Sequence, residues 1–296
     1  MINNSVCCVI VTYNIGERFY NCFNAIYNQV EKVVIVDNGS TEETLKILHE
    51  ISNNTTAEVI YNEENIGIAS ALNKGIEFGL QQKYNWILTM DHDSKATRNM
   101  INVMLECYEK ISCEDKNKIG SLFPVHIEPA RLDKSDIIES RSELGFKYTN
   151  YDIASGNLIK TEVFRKISLF DEKMFIDLVD TEFCLRLSEN NIKMIQVLGA
   201  KLIHTLGDYK EIKTPFGKFT VSNHSPIRRY YITRNRLYVW NRYGNSNNPL
   251  IEDDKKANLK EIVKLFLVES NKFEKMKMIF KAHKDYKKGI MGKIRE

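Results

Sequence analysis

The stretch Trp86-Ile87-Leu88-Thr89-Met90-Asp91-His92-Asp93-Ser94-Lys95-Ala96 runs from an apolar segment straight into two carboxylates two residues apart. A short apolar run closed by a polar break is the pattern of a buried strand. A buried strand that ends on a pair of like charges needs something to offset them. In open parallel sheets, ligands sit beyond the carboxyl ends of the strands. What the neighbouring strands end on therefore decides how this pair is read.

Outward from this stretch, residue types alternate. Residues 6–11, 32–37, 58–61 and 86–90 read as strands, and residues 18–29, 42–51 and 68–80 as amphipathic helices, the second capped by Ser40 or Thr41. Continuous apolar strands between such helices predict an α/β chain with a mostly parallel sheet covered on both faces. Thr12-Tyr13-Asn14 follows the first strand, Asp37-Asn38-Gly39-Ser40 the second, and Asn65-Ile66-Gly67 the third, and Asp91-His92-Asp93-Ser94 closes the fourth. Four polar clusters thus converge on one sheet edge. Further on, residues 99–110 read as a helix, 119–125 as a strand, 126–147 as a charged loop over the site, and 153–159 as a strand around Ser155-Gly156. Residues 181–190 read as a helix, 193–203 contain a strand, and the pattern from 253 onward is helical.

The chain has 296 residues, 43% hydrophobic and 27% charged, enough for one large domain with an appendage. The net charge of +3 is unevenly spread. From Lys255 to the end, thirteen Lys and Arg outnumber five Asp and Glu, so the preceding body is acidic. Leu259, Ile262, Val263, Phe266, Phe273, Met276 and Phe280 form an apolar stripe among those lysines. Such a tail suits an anionic membrane surface, or packs on the catalytic body or on a second subunit of a homodimer. Its few aromatics do not suit nucleic acid. Cys7, Cys8, Cys22, Cys107, Cys113 and Cys184 form no CxxC pair and read as reduced thiols. No apolar run approaches a membrane span, and the first residues do not read as a secretory leader. The expectation is a cytoplasmic protein, soluble or peripheral at a membrane.

Asp91 and Asp93 on one short bend can share a hard divalent cation, Mg2+ or Mn2+, whose remaining shell is water and phosphate; the bland reading is a helix cap. Asp37 can accept the imide N–H of a pyrimidine base, or merely close an Asx-turn. Tyr13 can stack on a base, and Gly67 permits close approach of a ligand. Asp177, Asp180 and Glu182 crowd the start of a helix, where the helix dipole favours acids. A carboxylate can also act as a general base that takes a proton from an attacking hydroxyl, and all three are candidates. His204 closes a strand and is a metal or diphosphate contact if it is not merely structural.

Together the pieces VIVTYN, VVIVDNGS, NIGIASALNKGI, ILTMDHDS, ASGNLI, FIDLVDTEFCLRL and AKLIHTLGD resemble the inverting glycosyltransferases of family 2, which have the GT-A nucleotide-diphospho-sugar transferase fold. The resemblance covers roughly residues 6–242. The DxDS form of the metal motif, FIDLVDTEFCLR and SPIRRYYITRNRL make the chain most like bacterial dTDP-rhamnosyltransferases of surface-polysaccharide synthesis. The resemblance implies a catalytic domain over 1–240, with a nucleotide-sugar half (1–95) and an acceptor half (96–240), followed by a helical extension over 241–296.

By the same likeness, Thr12, Tyr13, Asn14, Asp37, Asn38, Asn65, Gly67, Asn73, Lys74 and His92 surround the donor. Asp91, Asp93 and His204 hold the metal, and Ser155, Gly156 and Glu182 face the acceptor. Asp180 falls at the family's base position, with Asp177 the alternative because Val179 replaces the first acid of the usual pair. Leu72 stands where many members carry arginine, so Lys74, Arg228, Arg229 and Arg234 are the expected cations for the donor phosphates. The implied reaction takes L-rhamnose from dTDP-β-L-rhamnose, with inversion, to a saccharide or lipid-linked acceptor. A UDP-sugar donor and a catalytically silent nucleotide-sugar-binding protein are the alternatives. A nucleotidyltransferase would need a glycine-rich, arginine-bearing loop after the first strand, and a dinucleotide oxidoreductase GxGxxG; VTYNIGER supplies neither.

Overall fold

The computed structural model describes residues 4–129, 140–141, 145–205, 210–214, 217–221, 223–245 and 248–294. They fall into two compact units, Met1–Asp171 with Val179–Thr205, and Glu172–Leu178 with Leu206–Glu296.

The first unit contains, in order, β1 (Val6–Thr12), α1 (Phe19–Ile26), β2 (Lys32–Asp37), α2 (Glu42–Asn54), β3 (Glu58–Tyr61), α3 (Ile68–Gln81), β4 (Trp86–Asp91), β5 (Lys95–Ala96), α4 (Met100–Glu109), α5 (Cys113–Lys116), β6 (Ile119–Ile127), β7 (Phe146–Thr149), β8 (Asn157–Lys160), α6 (Thr161–Ile167), α7 (Val179–Glu189) and β9 (Lys193–Ile203). The sheet runs β3-β2-β1-β4-β8-β6-β9-β5, with β7 pairing with an earlier stretch of β9, at Met194–Val197. β1 to β4 are parallel to one another, as the apolar runs predict, while β8 is antiparallel to both β4 and β6. The GT-A-like α/β architecture expected from the sequence is the one observed.

Every residue of β1 is buried, and helices cover both faces of the sheet around it. Gly75 lets α3 lie close on β1, since a Cβ there would overlap the Val9 side chain. Register places the site. Val11 of β1 pairs with Asp91 of β4, and Thr12 pairs with Asp37 of β2, so these polar ends share one rim.

Some expectations are corrected. The helix expected over 18–29 is only α1, flanked by single 3-10 turns at Gly16–Arg18 and Tyr27–Gln29. The strand expected over 153–159 is confined to β8, because Ser155 and Gly156 form a turn in which Gly156 has φ +83°. Thr41 caps α2 by position, without a side-chain hydrogen bond. Of the loop expected over 126–147, residues 130–139 and 142–144 lie outside the described residues.

The second unit holds β10 (Lys210–Thr214) and β11 (Gly217–Val221), an antiparallel pair, then α8 (Pro226–Tyr243), α9 (Pro249–Leu267) and α10 (Lys272–Lys287). The boundary expected at 240 falls inside α8, which packs with the helices that follow it. Tyr230 and Tyr231 of α8 form a core with Ala282 of α10, and Phe175 stacks on Tyr231 at 5.1 Å. Beneath α9, Arg236 pairs with Asp254 and Glu261, and Arg229 with Glu261 and Glu269.

Candidate functional site

β4 delivers Asp91 to the rim, and the chain then turns, with Ser94 N–H donating to the Asp91 carbonyl at 3.2 Å. It returns as β5, whose Lys95 pairs antiparallel with Ile203 at the end of β9. That pairing brings the turn against His204. Ligand atoms of Asp91, Asp93 and His204 lie within 4.8 Å of one another, with His204 Nδ1 at 4.0 Å from Asp93 Oδ1. Two carboxylates and one imidazole gathered this closely suit a divalent cation that keeps open positions for water or phosphate.

The electrostatics agree with that fit. The Asp91 carboxyl is pushed up to about 7 by burial first, then by the charges of Asp93 and Asp180, with His126 partly offsetting them. Burial pulls His204 below its ordinary range, against the pull of Asp93, so it is a neutral imidazole near pH 7. A bound cation reverses the penalty on Asp91 by stabilising its ionised form.

A buried hydrogen-bond chain holds this cluster in place. Ser94 Oγ lies 2.7 Å from His204 Nδ1 and 2.6 Å from Ser155 Oγ, and Ser155 Oγ accepts from the Asp91 N–H at 3.1 Å. Ser94 thus fixes the orientation of the His204 ring beside the two carboxylates. The Ser155-Gly156 turn is pinned to β4, because Gly156 N–H donates to the Thr89 carbonyl at 2.7 Å. A Cβ at Gly156 would meet Pro124 at 2.7 Å and Leu202 at 2.8 Å. Ser155 is 1% exposed. The acceptor-facing role expected for Ser155 and Gly156 is therefore corrected to bracing the Asp91–Ser94 turn.

Sequence reasoning missed two residues beside this chain. His126 Nδ1 is 3.2 Å from Asp152 Oδ1, and its Nε2 lies 2.9 Å from the Ser155 carbonyl. Burial alone would lower His126, but the Asp152 carboxylate outweighs it and holds the ring cationic into a higher pH range. Both ring nitrogens thus face acceptors, an arrangement that favours the cationic ring behind the acidic cluster. The available signals were a histidine near the end of a strand, in Pro124-Val125-His126-Ile127, and an acid just before the Ser155 turn.

Asp180 opens α7. Its Oδ1 accepts from the Thr181 N–H at 2.8 Å, and its Oδ2 accepts from the Tyr151 hydroxyl at 3.4 Å. Tyr151, also missed, has its hydroxyl pushed up chiefly by the Asp180 charge and then by burial, so it remains a proton donor to that carboxylate. Glu182 is fully buried and pairs with Arg186 at 2.8 Å, which corrects its expected place at the acceptor. Asp177 belongs to the other unit, where Arg228 grips its Oδ1 at 3.0 and 3.1 Å.

On the β1–β3 side of the rim, the polar clusters bond to one another. Asp37 accepts from Thr12 Oγ1 at 3.0 Å and from the Ser40 and Gly39 N–H groups at 2.9 and 3.2 Å. It thus closes its own turn, while Oδ1, which accepts only from Thr12, keeps acceptor capacity. Asn14 accepts from Thr41 N–H at 2.8 Å, and its own N–H donates to Ser40. Asn38 donates to Asn65 at 3.1 Å, and Asn65 accepts from the Gly67 N–H at 3.0 Å. Lys74 donates to Asn62. Tyr13 is 44% exposed at the same edge. His92 lies in the acidic turn, lowered by burial against the pull of Asp93.

Asn73 is corrected from a donor contact to a structural link, since its side chain donates to and accepts from the Phe170 backbone at 2.9 and 3.0 Å. Arg229 and Arg234 are corrected likewise. Arg229 is buried on Glu261 and Glu269, and Arg234 is fully buried, packed against Tyr230 and Tyr231. A phosphate would reach either only by opening the helical unit.

Comparison with known proteins agrees with the geometry. The family described as Glycosyl transferase family 2 matches residues 7–114. The dTDP-rhamnosyl transferase RfbF of Shigella flexneri is 31% identical over 306 residues, covering 98% of each chain. Among solved structures, S. aureus TarS 1–349 in complex with UDP-GlcNAc superposes with a TM-score of 0.56 at 16% identity, over 97% of this chain and 81% of that one. GalNAc-T7 with UDP, GalNAc and Mn2+ gives 0.56 at 15% identity, over 87% and 55%. The two structures speak for the fold alone, whereas the first relative runs the full length of the chain. Its likeness, together with a carboxylate–histidine cluster on the strand rim, places this chain among the glycosyltransferases of family 2.

Proposed function

We propose that this enzyme transfers L-rhamnose from dTDP-β-L-rhamnose, with inversion, to a hydroxyl of a saccharide or lipid-linked acceptor. The observation that carries the reading is end-to-end similarity to a dTDP-rhamnosyl transferase, combined with the Asp91, Asp93 and His204 cluster. Asp37 receives the imide N–H of the base, and Tyr13 stacks on the ring. Asp91, Asp93 and His204 hold the cation, Mg2+ or Mn2+. Bound there, it supplies positive charge against the diphosphate as the nucleotide departs.

Asp180 takes the proton of the attacking hydroxyl. Its geometry supports the role, since Tyr151 and the Thr181 N–H fix the carboxylate. Asp177, gripped by Arg228, is the weaker candidate. Attack from the face opposite the nucleotide converts the β-linked donor into an α-L-rhamnoside. No helix among the described residues is long and apolar enough to cross a membrane. The proposed setting is the cytoplasmic face of the membrane, where lipid-linked acceptors are presented.

The test is turnover of dTDP-rhamnose against UDP-glucose, UDP-galactose and UDP-N-acetylglucosamine, with the product anomer read by NMR. An α-L-rhamnoside formed only with added divalent metal supports the proposal. Turnover of a UDP-sugar in its place assigns the donor to the other class. Nucleotide binding without turnover of any donor assigns a silent binding protein.

A further inference from the structure

We propose that the outward faces of α9 and α10 are a docking surface for an anionic lipid bilayer. The inference deepens the peripheral placement proposed above and rests on it, but not on the transfer chemistry. At about 100° per residue, Phe273, Lys277, Phe280, Lys284 and Lys287 of α10 fall within one arc of about 80°. All five are exposed, Phe273 at 92% and Phe280 at 67%. Lys275, Ala282 and Asp285 occupy the opposite, buried side of the same helix.

α9 repeats the arrangement. Leu259, Val263, Phe266 and Leu267 share one exposed arc with Lys256 and Lys260, while Ile251 and Leu265 are buried on the other side. Exposed apolar residues scattered singly need no explanation, whereas a contiguous stripe on each of two helices does.

Charge selects the occupant. Several acids of this segment are drawn inward, Glu261 and Glu269 onto Arg229, Asp254 onto Arg236, Asp285 onto Tyr230 and Lys281, while Glu252, Asp253 and Glu274 are exposed, the first two paired with Lys255 and Lys256, so the excess of lysine is carried by α10. The lysines of the stripes point outward. Phenylalanine and leucine amid lysine is the composition that seats in the boundary between headgroups and acyl chains, with cationic stems reaching back to the phosphates. A second copy of the chain would set like charge against like across a two-fold axis. Leu259 and Val263 offer nothing to a nucleic-acid backbone.

The experiment is flotation of the full chain with vesicles of phosphatidylcholine alone, or of phosphatidylcholine with phosphatidylglycerol, at low and at high salt. The expected result is flotation only with phosphatidylglycerol, released by salt. A variant carrying Lys277→Glu, Lys284→Glu and Lys287→Glu should lose at least about a hundredfold in partitioning. A variant with Phe273→Ser and Phe280→Ser should also lose flotation, and both variants should keep wild-type melting temperature and dTDP binding. The salt dependence of the wild-type chain is a test that needs neither variant to fold. Equal flotation with neutral vesicles, or none with either, overturns the proposal. A dimer dispersed by the phenylalanine variant assigns the face to a second copy, and tighter retention on duplex nucleic acid than on vesicles assigns it there. Loss of transferase activity would leave the flotation result unchanged, so the two proposals fail separately.

Discussion

Binding of Mn2+ should release a proton at pH 6 and almost none at pH 8. Asp91 is held up to about 7 without metal, by burial and by the charges of Asp93 and Asp180. At pH 6 it is therefore about nine-tenths protonated, and a cation must displace that proton to reach the carboxylate. The apparent affinity should then fall about tenfold from pH 8 to pH 6. Burial lowers His204, which reduces the proton it adds to the count. Isothermal titration calorimetry in two buffers of different ionisation enthalpy reads the proton count directly. The Asp180→Asn variant removes one like charge without removing a ligand, so it should bind Mn2+ and release less proton at pH 6. The sign of the linked stability follows from the same shift. The folded chain keeps a proton that the unfolded chain gives up, so the metal-free protein loses stability as pH rises from the ordinary carboxyl value of 3.8 to about 7. The loss is at most a few kcal/mol, and saturating Mn2+ should remove it. Equal affinity at the two pH values with no proton released would refute the reasoning, because Asp91 would then be ionised without its cation.

Asp180→Asn should also cut turnover by at least about a hundredfold, the low end of what a general base contributes, while leaving nucleotide and Mn2+ affinity in place by calorimetry at pH 8, where Asp91 is already ionised in the wild type. Ser94→Ala removes the hydroxyl on His204 Nδ1 and should weaken Mn2+ binding by about ten- to a hundredfold, with the fold unchanged by circular dichroism. Gly156→Ala forces a side chain onto a φ of +83° and against Pro124 and Leu202, so denaturant melts should show a loss of about 1–3 kcal/mol.

The first sheet half was legible because each strand there is a continuous apolar run whose polar end is adjacent in sequence. The pair Asp91 and Asp93 could be read from that alone. What joins them to His204 could not, because β5 is two residues long and carries no periodicity. It exists through pairing with β9, more than a hundred positions later. The same distance hid the brace. Ser155 read as an acceptor residue because its hydroxyl was visible, but its partners, Ser94 and the Asp91 N–H, are set by the turn at Gly156. Asn73, Glu182, Arg229 and Arg234 were misread for one reason: a polar residue in a motif looks free until its buried partner is known. Arg186 and Tyr230 stand four residues from Glu182 and Arg234 on the same helices, a spacing that was visible, whereas Phe170 and Glu269 lie far along the chain from Asn73 and Arg229, and sequence pattern does not point to them.

The most direct test of the central claim is thermal stability with dTDP, UDP, GDP and CMP, each with and without Mn2+. A ligand at a hundred times its Kd stabilises by about 2.7 kcal/mol, a shift that melting curves resolve. The account predicts a shift with dTDP alone among the four, and only when Mn2+ is present. A shift with UDP and none with dTDP would contradict the assigned donor, and no shift with any nucleotide would contradict the site itself.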